Sequence, residues 1–132
     1  GVITQSLCDR EVAHTGLTEQ HVVRTMHERK ARMAALADAF LVLPGGIGTL
    51  EGFFEILTWG QVGIHAKPCG ILNIAGYFDA LTAFLDHAVT EGFLTEAHRQ
   101  TVMVETDPMT LLERLRAYER PSGTPLMGRT NR

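Results

Sequence analysis

The sequence predicts an α/β protein built on a parallel β-sheet flanked by helices. Three observations carry that expectation. Short apolar runs alternate along the chain with segments of helical length, the pattern of successive βα units. Phe40-Leu41-Val42-Leu43 is apolar without a break, as suits a strand covered on both faces. That run leads directly into Pro44-Gly45-Gly46-Ile47-Gly48-Thr49, a glycine-rich turn ahead of another helical segment.

The elements follow in chain order. Residues 1–4 (GVIT) read as entry into a buried strand, and the start without an initiator Met reads as that of a fragment or a processed chain. Residues 5–20 are polar and mixed and are expected to be mostly loop. His21-Val22-Val23-Arg24 is a weak strand. Thr25-x-x-Glu28 has the form of a capping box, in which hydroxyl and carboxylate each serve a backbone N–H. It opens a helix to about residue 37, with Met26, Met33, Ala34 and Ala37 on or near one face. After the central strand and its glycine turn, a helix runs to about residue 61. Residues 68–74 are the next strand, residues 77–91 the next helix, stopped by Gly92, and residues 101–105 the last strand. Asp107-Pro108 supplies an N-cap followed by proline at the first helical position. The helix it opens is expected to turn Leu111, Leu112 and Leu115 inward.

The length of 132 residues suits a single domain over residues 1–120, with a turn-rich, flexible tail at 121–132. With 45% hydrophobic and 20% charged residues the composition is that of a soluble globular protein, and a chain of this size can bury a core without disulfides or a metal. The net charge of −3 leaves no basic surplus to hold nucleic acid. No apolar run approaches the ~20 residues needed to span a bilayer, and no signal peptide is recognisable. Cys8 and Cys69 fit no zinc spacing or disulfide framework and are expected as reduced thiols in a cytoplasmic protein. The six histidines form no metal site; His87 and His98 are expected at the surface or the edge of the core.

The strand–turn–helix from Phe40 to Gly52 is the most informative stretch. A helix's first turn presents unpaired N–H groups and the positive end of its dipole, and glycines let an anion approach closely. Together they make a phosphate cradle, though the residues leave open which anion. No lysine follows Gly48, so this is not a P-loop. Gly46-x-Gly48-x-x-Glu51 places a carboxylate where a dinucleotide fingerprint has its third glycine, and no later acid convincingly meets a ribose. The alternative is a purely structural turn with Thr49 as N-cap.

LPGGIGTLE closely resembles the PGGxGTxxE loop of the LOG ("Lonely guy") family, whose members are cytokinin riboside 5′-monophosphate phosphoribohydrolases. Met26-His27-Glu28-Arg29-Lys30 resembles the family's M-H-x-R-K helix. The stretch from Leu57 to His65 resembles its TWxQLGIH segment, Lys67 to Asn73 its KPxGLLN, and Gly76-Tyr77-Phe78 its GYY. The likeness covers roughly residues 1–118. It implies a modified Rossmann-like sheet, usually in a homodimer, that hydrolyses the N-glycosidic bond of adenine-type nucleoside 5′-monophosphates with no cofactor and no metal. It also implies that the chain lacks one or two βα units that family members carry ahead of the segment matching Gly1.

The resemblance assigns roles. Gly45, Gly46, Gly48 and Thr49 would hold the 5′-phosphate through backbone N–H groups and the threonine hydroxyl, and Pro44, Ile47, Leu50 and Gly52 would complete the substrate-binding loop. Arg29 would act on a phosphate or developing charge, suited by its planar, permanently protonated fork, with Lys30 beside it. Glu51, expected in the first turn of the helix beside the phosphate loop, would stabilise positive charge on the ribose or orient water. Glu11 matches a substrate-binding glutamate, and Thr58 matches a site-lining position or is a helix-interior threonine bonded back to a carbonyl. Phe53, Phe54 and Trp59 serve core or dimer packing, or a wall for the base. The departure is Gly52, where the motif has glutamate. Glu51 is no obvious substitute, because helix neighbours point ~100° apart. A second reading is therefore a nucleotide-binding protein of the same fold with weak or lost catalysis. Amino-acid decarboxylation is disfavoured, because Lys30 and Lys67 are the only lysines and neither has a pyridoxal-phosphate context.

Overall fold

The structure, a computed structural model, describes residues 1–119; the expected tail at 121–132 lies outside the described residues. The chain divides into two compact units, Gly1–Ala37 and a second from Asp38 onward.

The first unit runs β1 (Val2–Thr4), α1 (Gln5–Cys8), β2 (His21–Val23), α2 (Met26–Leu36). The two strands pair in parallel, Ile3 opposite Val22. The single turn of α1 falls where loop was expected. Four residues carry no helical periodicity to read, and the turn is held locally, by Asp9 N–H on Gln5 O (2.9 Å) and by Gln5 Nε2 on Asp9 Oδ1 (2.7 Å). Helix α2 starts where predicted, with Thr25 Oγ1 accepting from Glu28 N–H (3.1 Å). The Glu28 carboxylate reaches one residue further back than in a standard capping box, to Arg24 N–H (2.9 Å), and also accepts from the Arg24 guanidinium (3.0 Å). That backbone bond, with the Arg24 charge, holds its carboxyl below the ordinary value. The face that carries Met26 and Met33 is not buried: α2 has no buried residue, and both methionines are exposed. A two-stranded sheet offers too little apolar surface to cover a helix.

The second unit runs β3 (Phe40–Val42), α3 (Ile47–Gln61), β4 (Cys69–Leu72), α4 (Asp79–Thr90), α5 (Glu96–Gln100), β5 (Val102–Glu105), α6 (Pro108–Arg116). Its sheet is three-stranded and wholly parallel in the order β3-β4-β5, with Val42 opposite Ile71 and Ile71 opposite Val104. Strand β3, expected to be central and covered on both faces, is instead an edge strand of this sheet with Leu41 exposed; β4 takes the central place. Because side chains alternate along a strand, each face collects alternate residues. On one face Val42, Cys69, Ile71 and Val102 meet Phe53 and Leu57 from α3 and Phe78 and Leu85 from the start and middle of α4. Phe53 thus belongs to the core, while its ring neighbour Phe54 is exposed. On the other face Leu72 and Met103 meet Leu111 and Leu115 of α6.

Leu112, expected inward, is exposed. Leu111 and Leu115 share one helical row four residues apart, and Leu112 is turned off it. Helix α5 was not anticipated; it is one turn capped by the Thr95 hydroxyl, which accepts from His98 N–H (3.2 Å). His98 is buried and His87 exposed. The expected helix from Tyr77 begins at Asp79 instead, because Tyr77 and Phe78 close a turn first. Asp107 caps α6 as predicted, accepting from Thr110 N–H (2.8 Å) with Pro108 in the first turn.

Helix α6 approaches β4 so closely that a Cβ on Gly70 would lie 2.6 Å from Leu111 Cδ1. Gly70→Ala is expected to cost roughly 1–3 kcal/mol by overpacking. Leu111→Ala alone costs about 2–5 kcal/mol. In urea unfolding the double variant should lose less than the sum of the two, because the truncated leucine makes room for the methyl. Strict additivity would show that α6 does not press on Gly70.

Hydrogen bonding from the Thr110 backbone and hydroxyl holds the Asp107 carboxyl below its ordinary value. A depressed folded-state value contributes stability above the unfolded value of about 3.9, lost as pH falls through the folded value. Asp107→Ala should therefore lower Tm at neutral pH, and its gap to the parent should narrow as pH drops below about 4. A gap independent of pH would remove the charged cap from the account.

Candidate functional site

The turns that follow β3 and β4 leave the carboxyl edge of the three-stranded sheet, the edge where open α/β sheets bind ligands. The first runs from Leu43 to Gly46. Gly46 is the N-cap of α3, in extended backbone, and no side chain caps the helix. Its carbonyl accepts from both Thr49 N–H and Leu50 N–H (3.1 Å each). The first-turn N–H groups of Ile47 and Gly48 have no carbonyl behind them within the helix. Ile47 is exposed, and the backbone here faces outward.

Two expectations need correcting. Thr49 is not an N-cap: it sits inside the helix, and its side chain lies against Gly45, where a Cβ would collide with Thr49 Oγ1. Glu51 is not in the first turn, because α3 begins at Ile47; it lies one turn in and is exposed. The glycines divide by cause. Gly45 is required by Thr49, whereas a Cβ at Gly46, Gly48 or Gly52 would meet nothing within 4 Å. The fold does not need glycine at those three positions. At Gly46 and Gly48, bare backbone beside an uncapped helix start is what an incoming anion needs.

The second turn, from Asn73 to Phe78, is built round a buried amide. Asn73 Oδ1 accepts from Phe78 N–H (2.8 Å), Nδ2 donates to Asp79 Oδ1 (2.7 Å), and its own N–H continues the sheet to Glu105 O (2.8 Å). Gly76 takes φ +70°, where a Cβ would also approach Asp79 Oδ2 to 2.6 Å. The turn delivers Tyr77, whose hydroxyl donates to Gly45 O (2.6 Å) and so joins the two turns. Sequence reasoning gave Tyr77 no role, although Gly76-Tyr77-Phe78 resembles the family's GYY.

Pro44 is exposed; Leu50 packs against the core, so only its backbone is available to a ligand. Thr58 donates to Phe54 O (2.8 Å), the back-bonded alternative, and lies roughly 14 Å along the helix axis from Thr49. In the first unit, Arg29 is half-buried and its Nε donates to Val2 O (2.8 Å). It borders a cavity of about 270 Å³ that His14, Gln20, Leu7 and Leu17 also line. Lys30 follows it on α2, half-buried. Glu11 is exposed and left-handed at φ 58°, an uncommon conformation for a residue with a side chain.

Among the described residues no cluster of three or more His, Cys, Asp or Glu could hold a metal ion, and no helix is long and apolar enough to cross a membrane. His65 is occupied structurally: Nδ1 accepts from Lys67 N–H (3.1 Å), so Nε2 carries the proton and donates to Ile56 O (2.9 Å).

A family model described as "Possible lysine decarboxylase" matches residues 1–115. Over 108 residues the chain is 54% identical to a cytokinin riboside 5′-monophosphate phosphoribohydrolase of Rhodococcoides fascians, an alignment covering 81% of this chain and 54% of that protein. It is 48% identical over 118 residues to the probable enzyme of that name, LOGL9, of Oryza sativa subsp. japonica, covering 89% of this chain and 52% of the relative. It is 45% identical over 118 residues to LOG2 of Arabidopsis thaliana, covering 89% and 55%. The chain spans about half the length of the curated relatives it matches.

Burial pushes the Cys69 thiol up to about 12, so the thiolate needed for nucleophilic attack is absent at neutral pH. A thiol reagent should label Cys8 in the native protein and reach Cys69 only after denaturation. Rapid native labelling of both would show that β4 opens readily.

Proposed function

The chain belongs to the LOG family, that of the possible lysine decarboxylases, and on that premise we propose that it hydrolyses the N-glycosidic bond of an adenine-type nucleoside 5′-monophosphate, releasing free base and ribose 5-phosphate. The observation that carries the reading is the uncapped start of α3, with open space above Gly46 and Gly48. Backbone N–H groups there would bind the 5′-phosphate, the dipole adding favourable charge. The names of the relatives support the substrate class.

Cleavage of the bond builds positive charge on the ribose, which a carboxylate stabilises while water attacks. Glu51 and Glu11 are the candidate carboxylates. Arg29 is the candidate for a phosphate or developing charge, and Lys30 for added positive potential. The reaction as written needs no metal and no cofactor. A homodimer in the cytoplasm fits this reading, and light scattering measures the first part of it.

The second reading is nucleotide binding with little turnover. Gly52 favours it, since glycine stands where the family loop has glutamate. The site can take the missing side chain, because a Cβ at Gly52 meets nothing within 4 Å. Incubation with AMP and with isopentenyladenosine 5′-monophosphate, followed by chromatography of the free base, separates the two readings. The expected result is slow release by the parent and release roughly tenfold or more faster by Gly52→Glu. The variant should also be more stable by up to ~1 kcal/mol, from helix propensity alone. Release by the variant only would establish the second reading. Release by neither would remove the activity from this chain.

A further inference from the structure

We propose that Tyr77 is a positioning residue for the anion loop: by holding the Gly45 carbonyl it fixes the Gly45–Gly46 peptide, so that the Gly46 N–H is aimed at the bound phosphate. The inference rests on the phosphate reading of the loop and adds to it a side chain from the neighbouring turn.

A Gly-Gly peptide is the least restrained in the loop, because neither residue has a Cβ to bar a rotation of the peptide plane. The bond is trans, so its C=O and N–H point in opposite directions. Whatever holds the oxygen therefore sets the hydrogen. Tyr77 Oη donates to Gly45 O at 2.6 Å, and the Gly46 N–H must point away from the tyrosine. If the plane flipped, the carbonyl oxygen would face the ligand and repel an anion, and the tyrosine bond would be lost.

The tyrosine is itself held from below. Its ring stands edge-on to Phe78 (centroids 4.9 Å apart, 86° between planes), and Phe78 is only 2% exposed. Asn73 Oδ1 fixes the Phe78 N–H, and Tyr77 N–H bonds Ile74 O at 3.0 Å. Tyr77 is 56% exposed, so packing gives little reason for its hydroxyl to be there. The relay runs from the buried amide through Phe78 and Tyr77 to the loop's peptide plane.

Tyr77→Phe keeps the ring and deletes the hydroxyl. In the full chain three quantities are read: the Gly46 amide resonance without ligand, the Kd for AMP and for adenosine, and Tm. The inference expects the Gly46 amide to shift, AMP to bind roughly 3–10-fold more weakly, adenosine to bind as before, and Tm to stay close to that of the parent. Unchanged AMP affinity in the variant, with a parent that prefers AMP to adenosine, would overturn the role of Tyr77 and leave the phosphate reading standing. Equal weakening of AMP and adenosine with a lowered Tm would also overturn it, as a merely structural strap. A parent that binds AMP no better than adenosine would overturn the phosphate reading, and this inference with it.

Discussion

Strand β4 is paired on both edges and covered on both faces, and the second unit is arranged round that constraint. All four of its residues are buried. A strand so placed can carry no exposed polar side chain, and it must accept whatever the two covering layers require. On one face Cys69 and Ile71 provide apolar bulk under α3 and α4. On the other, Gly70 gives up its side chain so that Leu111 can seat α6 against the backbone. The sheet can be short because its central strand buries everything it has.

The same strand sets the site. Asn73 lies one residue past its end, still buried, and a buried amide must find partners for both its oxygen and its nitrogen. It finds them within the turn that follows, at Phe78 and Asp79, which shapes that turn. The consequence reaches the neighbouring strand through Tyr77 and Gly45. Thus the geometry of the loop after β3 is controlled in part by the residue that ends β4. Parallel strands put both turns on one edge, which makes such control possible.

Glycine separates what the fold needs from what it does not. Gly45 and Gly70 are demanded by neighbouring side chains, and Gly76 by a left-handed turn. Gly46, Gly48 and Gly52 answer to no neighbour. For the first two, the proposed phosphate would supply the missing reason, since it would have to lie close to the backbone. For Gly52 that reason does not extend, since the position lies a turn further into the helix, where glycine costs stability. It is the one place where this loop departs from the family pattern without a structural motive.

The sequence by itself determined the order of strands and longer helices, the Thr25 and Asp107 caps, the parallel α/β class and the loop that carries the candidate site. These are local properties: periodicity over ten or more residues, a hydroxyl three residues from an N–H, a run of glycines after an apolar strand. It missed α1 and α5, because a single turn has too few residues to show a period. It could not say that α2 would leave its methionines exposed or that Leu112 would turn outward, since both depend on what lies opposite. It offered Thr49 as a cap and left Tyr77 without a role. The role of Tyr77 was decided only by tertiary structure, because the carbonyl that it holds lies 32 residues away in the chain and is a neighbour only once the strands have paired.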